Sequence, residues 1–128
     1  MKTIRIRQPW AWAILHAGKD IENRTWNTHY RGELLIHASG APDRKHQGWP
    51  KRIRLPDLLD LPRGAIVGIV ELVDVVEKIR SKWFSGPYGL VLTNPRPLSK
   101  PIPCKGALKL WEAPPEVWRA IRRQLRAA

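Results

Sequence analysis

Residues 16–26 read HAGKDIENRTW, and this stretch links a predicted helix to a predicted strand. Gly18 is typical of the position just after a helix end, because glycine adopts a left-handed backbone at little steric cost. The next segment, DIENRTW (20–26), predicts a strand in which alternate side chains point to opposite faces. The stretch therefore predicts a helix end and a strand, with charged and aromatic side chains concentrated at their junction.

Three side chains of this strand are expected on one face. Glu22, Arg24 and Trp26 are two residues apart, which places neighbours about 7 Å from each other, and we expect a turn to bring the Lys19 amine to the same surface. Such a cluster can hold a nucleobase, with Glu22 accepting from an exocyclic amine and Arg24 binding a phosphate or carbonyl. It can also perform acid–base chemistry, or form only a structural ion pair. The spacing leaves all three open.

The charge balance is the strongest compositional signal. Lys plus Arg number 23 and Asp plus Glu number 11, so the formal net charge is +12. Repulsion of that size disfavours a compact monomer, so we expect a polyanionic partner: nucleic acid, an acidic membrane surface or an acidic protein. Seven tryptophans favour nucleic acid, because flat side chains among cations stack on bases. The basic stretches 44–54 and 119–126 are candidate phosphate contacts.

Several kinds of site and compartment are disfavoured. The single cysteine, Cys104, permits no internal disulfide and fits the reducing cytoplasm, where we expect the protein. No HxxH, HExxH or P-loop motif occurs, so we expect neither a metal nor a cofactor. No apolar stretch is long enough for a membrane span or a secretion signal, so we expect no membrane partner.

Residues 29–39, HYRGELLIHAS, add further polar candidates. His37 and Ser39 share one face of the predicted strand ELLIHAS (33–39), opposite to Ile36. A histidine there can be a general acid or base near neutral pH. A lone strand histidine is also often a hydrogen-bonded core or rim residue, and both interpretations stay open.

The remaining segments predict a small mixed barrel. Further strands are predicted at TIRIR (3–7), AIVGIVELVDVV (65–76), YGLVLTN (88–94) and ALKLW (107–111). A helix is predicted after Gln8-Pro9, and residues 40–63 predict an irregular loop with one or two short helices. Because no βαβ rhythm is present, we expect an α+β barrel of five or six strands with two or three helices. We expect residues 1–128 to form one domain.

The last segment, residues 113–128, predicts a basic helix that begins at Pro114-Pro115. Val117, Ile121 and Leu125 recur at helical spacing and predict its inner stripe. Its outer face carries four arginines, Arg119, Arg122, Arg123 and Arg126.

Taken in order, these motifs resemble those of one family. RQPWAW, GKDIENRTW and YRGELLIHAS, followed by GAIVGIVELVDV, YGLVLTNPRPL and PIPCKGALKLW, resemble ASCH domains, named for the activating signal cointegrator-1 homology region. The resemblance runs from about Thr3 to Glu112. Its most specific element is the family's glycine–lysine and Glu-x-Arg hallmark, here GKDIENR (18–24). The cointegrator-like branch is the most similar, through QPW (8–10) and the ending that runs from KG (105–106) to LW (110–111).

The resemblance implies a PUA-like fold with a cleft beside the first helix and second strand, and RNA or DNA as the ligand. RNA, or single-stranded nucleic acid generally, is the partner we expect, with DNA as the second choice. Trp10, Trp26 and Tyr30 become candidate stacking walls, although Trp10 is also placed for core packing. The implied nucleic-acid-binding residues are Gln8, Trp10, Lys19, Glu22, Arg24, Trp26, Tyr30, Arg31, His37, Ser39 and Lys105.

The resemblance also implies an alternative, because some members of the family are enzymes. One small bacterial branch deacetylates N4-acetylcytidine with the lysine that corresponds to Lys19, and has a threonine where this chain has Glu22. Because that threonine is absent, the activity does not carry over directly. The alternative is therefore a hydrolase on RNA or a modified nucleoside, of ribonuclease or amidohydrolase type, with Lys19 and Glu22 as catalytic residues. A third hypothesis is a partner-recruiting domain whose charge serves only solubility.

Overall fold

The computed structural model describes residues 1–127, and these form six strands and two α-helices. The strands are β1 Lys2–Ile6, β2 Ile21–Arg24, β3 Gly32–Ala38, β4 Ala65–Val76, β5 Tyr88–Pro103 and β6 Leu110–Glu112. The helices are α1 Trp10–His16 and α2 Pro115–Ala127, and a short 3-10 helix covers Leu58–Asp60.

The strands build one curled sheet, a half-barrel, in the order β2-β5-β4-β3-β1-β6. β1 and β3 pair in parallel, whereas the other neighbours are antiparallel. The predicted fold class, a small α+β PUA-like mixed barrel, is confirmed.

The main core lies inside the curled sheet, where α1 packs on it. Ile4 and Ile6 of β1, together with Ile36 of β3, point into this core, as their alternation with polar neighbours predicts. α1 adds Ala11 and Ile14 to the same cluster. Burial of these side chains fixes α1 against the sheet, and the beginning of β2 follows from the position of α1.

α2 covers the opposite face of β3 and β4. Leu35, Ile66 and Ile69 form a second buried cluster there with Val117 and Ile121 of α2. Alternation explains the division, since Leu35 lies between residues of β3 that point into the main core.

The prediction that Leu125 belongs to the inner stripe of α2 is wrong. Its exposed fraction is 40%, whereas Val117 and Ile121 are buried. The apolar cluster under α2 includes Val117 and Ile121 but not Leu125. Helical spacing identifies the face on which a residue lies, but not how far along the helix the neighbouring sheet extends.

Two strands also differ from their predicted lengths. β2 ends at Arg24, so Trp26 follows the strand instead of belonging to it. β5 continues through the proline-rich segment to Pro103, although its strand pattern predicts an end at Asn94. Its pairing with β2 covers Tyr88–Val91, so the later part pairs on one side with β4. An edge without a ladder tolerates proline, because the missing N–H removes no sheet hydrogen bond.

The segment 40–63 is irregular, as predicted, and tryptophan side chains attach it to the rest of the protein. The Trp49 ring lies 5.3 Å from that of Trp10, 6.2 Å from that of Trp12 and 6.1 Å from that of Trp83, measured between centroids. This aromatic cluster holds the basic stretch 44–54 beside α1.

Among residues 1–127, neither helix has the length and apolar character needed to cross a bilayer.

Candidate nucleic-acid interface

Lys19, Glu22 and Arg24 form a linked ion triad at the end of α1 and along β2. Glu22 lies between the two cations: its Oε1 is 2.7 Å from Lys19 Nζ and its Oε2 is 2.9 Å from Arg24 Nη2. Lys19 Nζ also donates to the carbonyl of Ile21, and Arg24 Nη2 donates to the carbonyl of Arg5 at 2.9 Å. Both cations are therefore held in place by the backbone as well as by Glu22.

The turn after α1 produces this arrangement. Gly18 adopts φ +74°, which favours glycine, and the Lys19 amide donates to the Ala13 carbonyl at 3.1 Å. The chain then enters β2 with the Lys19 side chain directed back toward Glu22. Lys19 is only 4% exposed. The expectation that a turn would bring Lys19 to Glu22 is confirmed.

Electrostatics keep Glu22 ionised. Burial by itself would raise the pKa of Glu22, but Lys19 and Arg24 outweigh that effect and hold the pKa below its ordinary value. The triad therefore carries two positive charges and one negative charge. A carboxylate has about four lone-pair directions, so each oxygen can accept a further hydrogen bond from a ligand.

A cavity of about 370 Å³ opens beside this triad, and we call it the aromatic chamber. Its volume lies within the range of small-ligand pockets. Three aromatic rings contribute to its wall, together with Lys19 and Glu22 of the triad and two loops. The lining residues are Trp10, Lys19, Glu22, Asn23, Gln47, Gly48, Lys82, Trp83, Phe84 and Ser85.

Asn23 holds one wall of the aromatic chamber. Its Nδ2 donates to the Trp83 carbonyl at 2.9 Å, and its Oδ1 accepts from the amides of Ser85 and Gly86 at 2.8 and 3.0 Å. A single β2 side chain thus binds the loop that carries Trp83 and Phe84.

Trp10 holds the other wall. Its Nε1 donates to Asp43 Oδ2 at 2.9 Å, and Asp43 Oδ1 accepts from the amides of Lys45 and His46. The hydrogen bond from Trp10 lowers the pKa of Asp43. The amides of Lys45 and His46 and the charge of Arg7 lower this pKa further, whereas burial raises it. Trp10 packs against the core and also lines the chamber, and its stacking role stays a prediction.

A second cavity adjoins the aromatic chamber, and a third adjoins the second. The arginine chamber, about 510 Å³, shares Trp10, Glu22 and Asn23 with the aromatic chamber, and is also lined by Arg5, Ile6, Arg7, Arg24, Ser39 and Ala41. The outer chamber, about 210 Å³, is lined by Arg5, Arg24, Trp26, Ala107, Leu108 and Lys109. Shared walls make the three chambers one cleft, which passes from an aromatic end to a cationic middle.

Six of the predicted site residues line this cleft: Trp10, Lys19, Glu22, Arg24, Trp26 and Ser39. Arg24 lies against Trp26, with its Cζ 6.0 Å from the ring centroid. The proposed binding and catalytic roles of these residues stay predictions, although their position in one cleft supports them.

Five predicted site residues line none of the three chambers: Gln8, Tyr30, Arg31, His37 and Lys105. Gln8 is buried, where its amide donates to the Pro62 carbonyl and accepts from the Trp12 amide. The Tyr30 hydroxyl donates to the Glu33 carbonyl, and Arg31 donates to the carbonyls of Thr28 and Tyr30. The contacts of Tyr30 and Arg31 support the local backbone, whereas Gln8 joins α1 to the distant Pro62.

His37 lies under the β5–β6 connection. Its Nε2 is 2.6 Å from the Cys104 carbonyl, so Nε2 donates. Burial and the nearby charge of Arg5 lower the pKa of His37, against the opposing effect of that hydrogen bond. A Cβ at Gly106 would lie 2.7 Å from Arg5 Cδ, so a glycine leaves room there for the Arg5 side chain. Lys105 is exposed beside it.

The structure adds lining residues that the sequence analysis did not select, chiefly Arg5, Arg7, Lys82, Trp83 and Phe84. The alternation in the predicted strand TIRIR (3–7) places Arg5 and Arg7 on one face, although β1 itself ends at Ile6. Trp83 and Phe84 had no comparable signal, because only the folded chain brings them beside β2. Within residues 1–127, no group of three or more His, Cys, Asp or Glu side chains is arranged to hold a metal ion.

Comparison with known proteins agrees with this architecture. Residues 4–98 match the family model of the ASCH domain. Activating signal cointegrator 1 from Homo sapiens and from Mus musculus are each 25% identical to this chain over 142 residues. The alignment covers 95% of this chain but 24% of either relative, so the chain spans about a quarter of their length. The chain therefore belongs to the ASCH domain family, whose members typically bind RNA.

Proposed function

We propose that this protein binds single-stranded RNA in the cleft, with one unpaired base in the aromatic chamber and the backbone in the arginine chamber. The observation that carries the proposal is the shared wall of these chambers, where Glu22 contributes to both. A chamber with aromatic walls that adjoins a chamber lined by arginines matches a nucleotide, which joins a flat base to a phosphate.

The aromatic chamber offers the contacts that an unstacked base needs. Trp10, Trp83 and Phe84 line this chamber; Trp83 is buried, whereas Trp10 and Phe84 are half-buried and keep some ring surface for stacking. The carboxylate of Glu22 can accept from an exocyclic amine, while Lys19 keeps that carboxylate ionised and fixed. A base with an amino group on its pairing edge is therefore the preferred occupant.

The arginine chamber offers contacts for phosphates. Arg5, Arg7 and Arg24 line it, and of these only Arg24 forms an ion pair with a carboxylate in the described part of the chain. Arginine suits phosphate because its planar guanidinium donates two parallel hydrogen bonds. Proteins commonly recognise RNA through splayed single-stranded bases, which favours RNA over duplex DNA.

Substitution of Arg24 tests the cleft. We expect Arg24→Ala to weaken binding of an eight-nucleotide single-stranded RNA at least about tenfold, because a charged contact and the support of Arg5 are both lost. Fluorescence anisotropy over a salt series measures the affinity and its salt dependence. Each phosphate contact contributes about −0.7 to the slope of the logarithm of the binding constant against the logarithm of the salt concentration.

Arg63→Ala is the matched control, since Arg63 is exposed and lines none of the three chambers. Equal affinity of Arg24→Ala and wild type, with the fold intact by circular dichroism, would overturn the proposal. Binding that hardly responds to salt would instead favour the partner-recruiting hypothesis.

The second candidate function is a hydrolase on RNA or a modified nucleoside, and the burial of Lys19 and Glu22 beside the aromatic chamber favours it. Against it, Lys19 Nζ is directed at two protein oxygens instead of at the chamber. The test is mass spectrometry after incubation with modified nucleosides and with single-stranded RNA. Products that disappear in Lys19→Ala, while RNA binding remains, would establish the hydrolase; their absence from wild type would exclude it for those substrates.

A cytoplasmic location belongs to the same proposal. Cys104 is a free, partly buried thiol, which a reducing compartment preserves. Fluorescence imaging of the tagged protein would test it.

A further inference from the structure

The outer face of α2 is a second basic surface. Arg119, Arg122, Arg123 and Arg126 are all exposed on this helix, and Glu116 is its one acidic residue. These four arginines lie beyond the residues 4–98 that match the family model. We call them the α2 arginine face.

The four arginines of the α2 arginine face have no carboxylate partner in the described part of the chain, whereas five cations elsewhere do. Lys2, Lys19, Arg24, Arg31 and Arg96 each lie within ion-pair distance of an acidic side chain. Among residues 1–127, none of the four α2 arginines does.

Their spacing also disfavours the helix itself. The pairs 119/122 and 123/126 are three residues apart, and 119/123 and 122/126 are four apart. Like charges at these spacings are neighbours on a helix surface and destabilise it. An arrangement that lowers helix stability and leaves every charge uncompensated indicates a polyanion as its partner.

α2 holds these arginines on a rigid support. Val117 and Ile121 are buried against the sheet. Gln124 adds hydrogen bonds at the far end: its Nε2 donates to the Lys100 carbonyl at 2.7 Å, and its Oε1 accepts from the Lys100 amide at 3.1 Å. The face thus has a fixed position, on the side of β3 and β4 opposite to α1.

We propose that the α2 arginine face binds the phosphodiester backbone of RNA, as a contact separate from the cleft. This proposal rests on the proposed function, from which it takes RNA as the ligand, but the contact involves none of the cleft residues. Four guanidiniums along one helix face suit successive phosphates, since each can donate two hydrogen bonds to one phosphate. An anionic membrane is the poorer partner, because a helix bound at a membrane surface inserts an exposed apolar face. The apolar face of α2 is already buried against the sheet.

Salt-dependent binding of a 20-nucleotide single-stranded RNA tests the proposal. In Arg122→Gln/Arg126→Gln we expect the salt slope to become less steep by about 1.4, because two phosphate contacts of about 0.7 each are lost. Binding of a trinucleotide, which the cleft alone can accommodate, is expected to stay unchanged. Lys78→Gln/Arg80→Gln removes the same charge from exposed residues outside the cleft lining, and we expect a smaller change in slope.

Two controls show whether a change in slope comes from unfolding or from the loss of positive charge. The melting temperature of Arg122→Gln/Arg126→Gln is expected to equal or exceed that of wild type, because repulsion along α2 is relieved. Arg122→Lys/Arg126→Lys retains the charge and is expected to retain the slope.

A wild-type slope in the α2 variant, or an equal change in the Lys78/Arg80 control, would overturn the proposal. A loss of binding to phosphatidylserine vesicles without any loss of RNA binding would also overturn it, in favour of a membrane surface. If the α2 variant binds normally while Arg24→Ala does not, the cleft stands and the α2 proposal fails. If Arg24→Ala binds normally while the α2 variant is weakened, the cleft proposal fails and the α2 proposal stands.

Discussion

At the scale of the residue, Glu22 determines the charge arrangement of the cleft. It is the carboxylate that contacts both Lys19 and Arg24, and it is almost fully buried. Burying a carboxylate is unfavourable unless cations and hydrogen bonds compensate it. The triad therefore behaves as one unit, and removal of its centre leaves a buried lysine without a counter-charge.

Replacement of Glu22 is expected to destabilise the fold. Glu22→Gln should lower the free energy of unfolding by about 3 kcal/mol, because Lys19 remains buried and unpaired. Glu33→Gln is the matched control, since Glu33 forms an exposed ion pair with Arg96 at 3.1 Å. That change should have an effect below about 1 kcal/mol. Urea denaturation at pH 7 measures both, and equal effects would contradict the structural role of Glu22.

The same residue predicts a pH dependence. The pKa of Glu22 is lower in the folded protein than its ordinary value of 4.5, so the unfolded state takes up a proton first as the pH falls. The stabilisation is therefore complete above about pH 4.5 and is lost as the pH falls further, through the folded pKa. We expect the difference in unfolding free energy between wild type and Glu22→Gln to shrink between about pH 4.5 and the folded pKa. Urea melts in steps from pH 7 to pH 3 measure this, and a pH-independent difference would refute it.

At the scale of the element, β2 is short but positions two walls of the cleft. Its four residues include Glu22, which the two larger chambers share, and Asn23, which binds the loop of Trp83 and Phe84. One wall of the aromatic chamber thus depends on one amide side chain.

Asn23→Ala is expected to weaken RNA binding several-fold with little effect on the melting temperature. Three hydrogen bonds to the loop 83–86 disappear, so the aromatic wall loses its fixed position. Asn27→Ala is the control, because Asn27 is exposed and its Oδ1 accepts from the adjacent Thr28 amide. Anisotropy with the eight-nucleotide RNA measures affinity, and hydrogen exchange of residues 83–86 measures the loop. Unchanged exchange in Asn23→Ala would contradict the proposed support.

α2 shows how a helical pattern and its packing diverge. Ile121→Ala is expected to lower the free energy of unfolding by about 2–5 kcal/mol, because it leaves a cavity in a fully buried cluster. Leu125→Ala, one turn later, should cost less than about 1 kcal/mol because Leu125 is 40% exposed. Chemical denaturation of the two variants compares them, and similar losses would show that Leu125 contributes to the core after all.

At the scale of the whole molecule, the excess positive charge is unevenly placed. The cleft concentrates Arg5, Arg7 and Arg24, and α2 carries four exposed arginines that line none of its chambers. Charge placed in this way favours an extended polyanion over a small anion, because separate surfaces can contact separate phosphates. That residues 1–128 form one domain stays a prediction, which limited proteolysis would test.

Most of the elements could be predicted because apolar periodicity reports local geometry. The alternation in TIRIR identified β1, and Gly18 with DIENR identified the turn that joins Lys19 to Glu22 within a few residues. The hallmark GKDIENR also identified the family. These signals are local, so the amino-acid sequence contains them whatever the chain contacts elsewhere.

What the sequence by itself determined is thus most of the order of elements and the family, whereas it left the arrangement of Lys19, Glu22 and Arg24 open among three interpretations. Only the tertiary structure decided which side chains complete the cleft: Asn23 and Trp83 are 60 positions apart, and their hydrogen bond forms one wall. Tertiary packing also extended β5 through its prolines and left Leu125 exposed. The physical reason is that periodicity specifies the direction of a side chain, whereas its partner depends on which distant segment the fold brings opposite it.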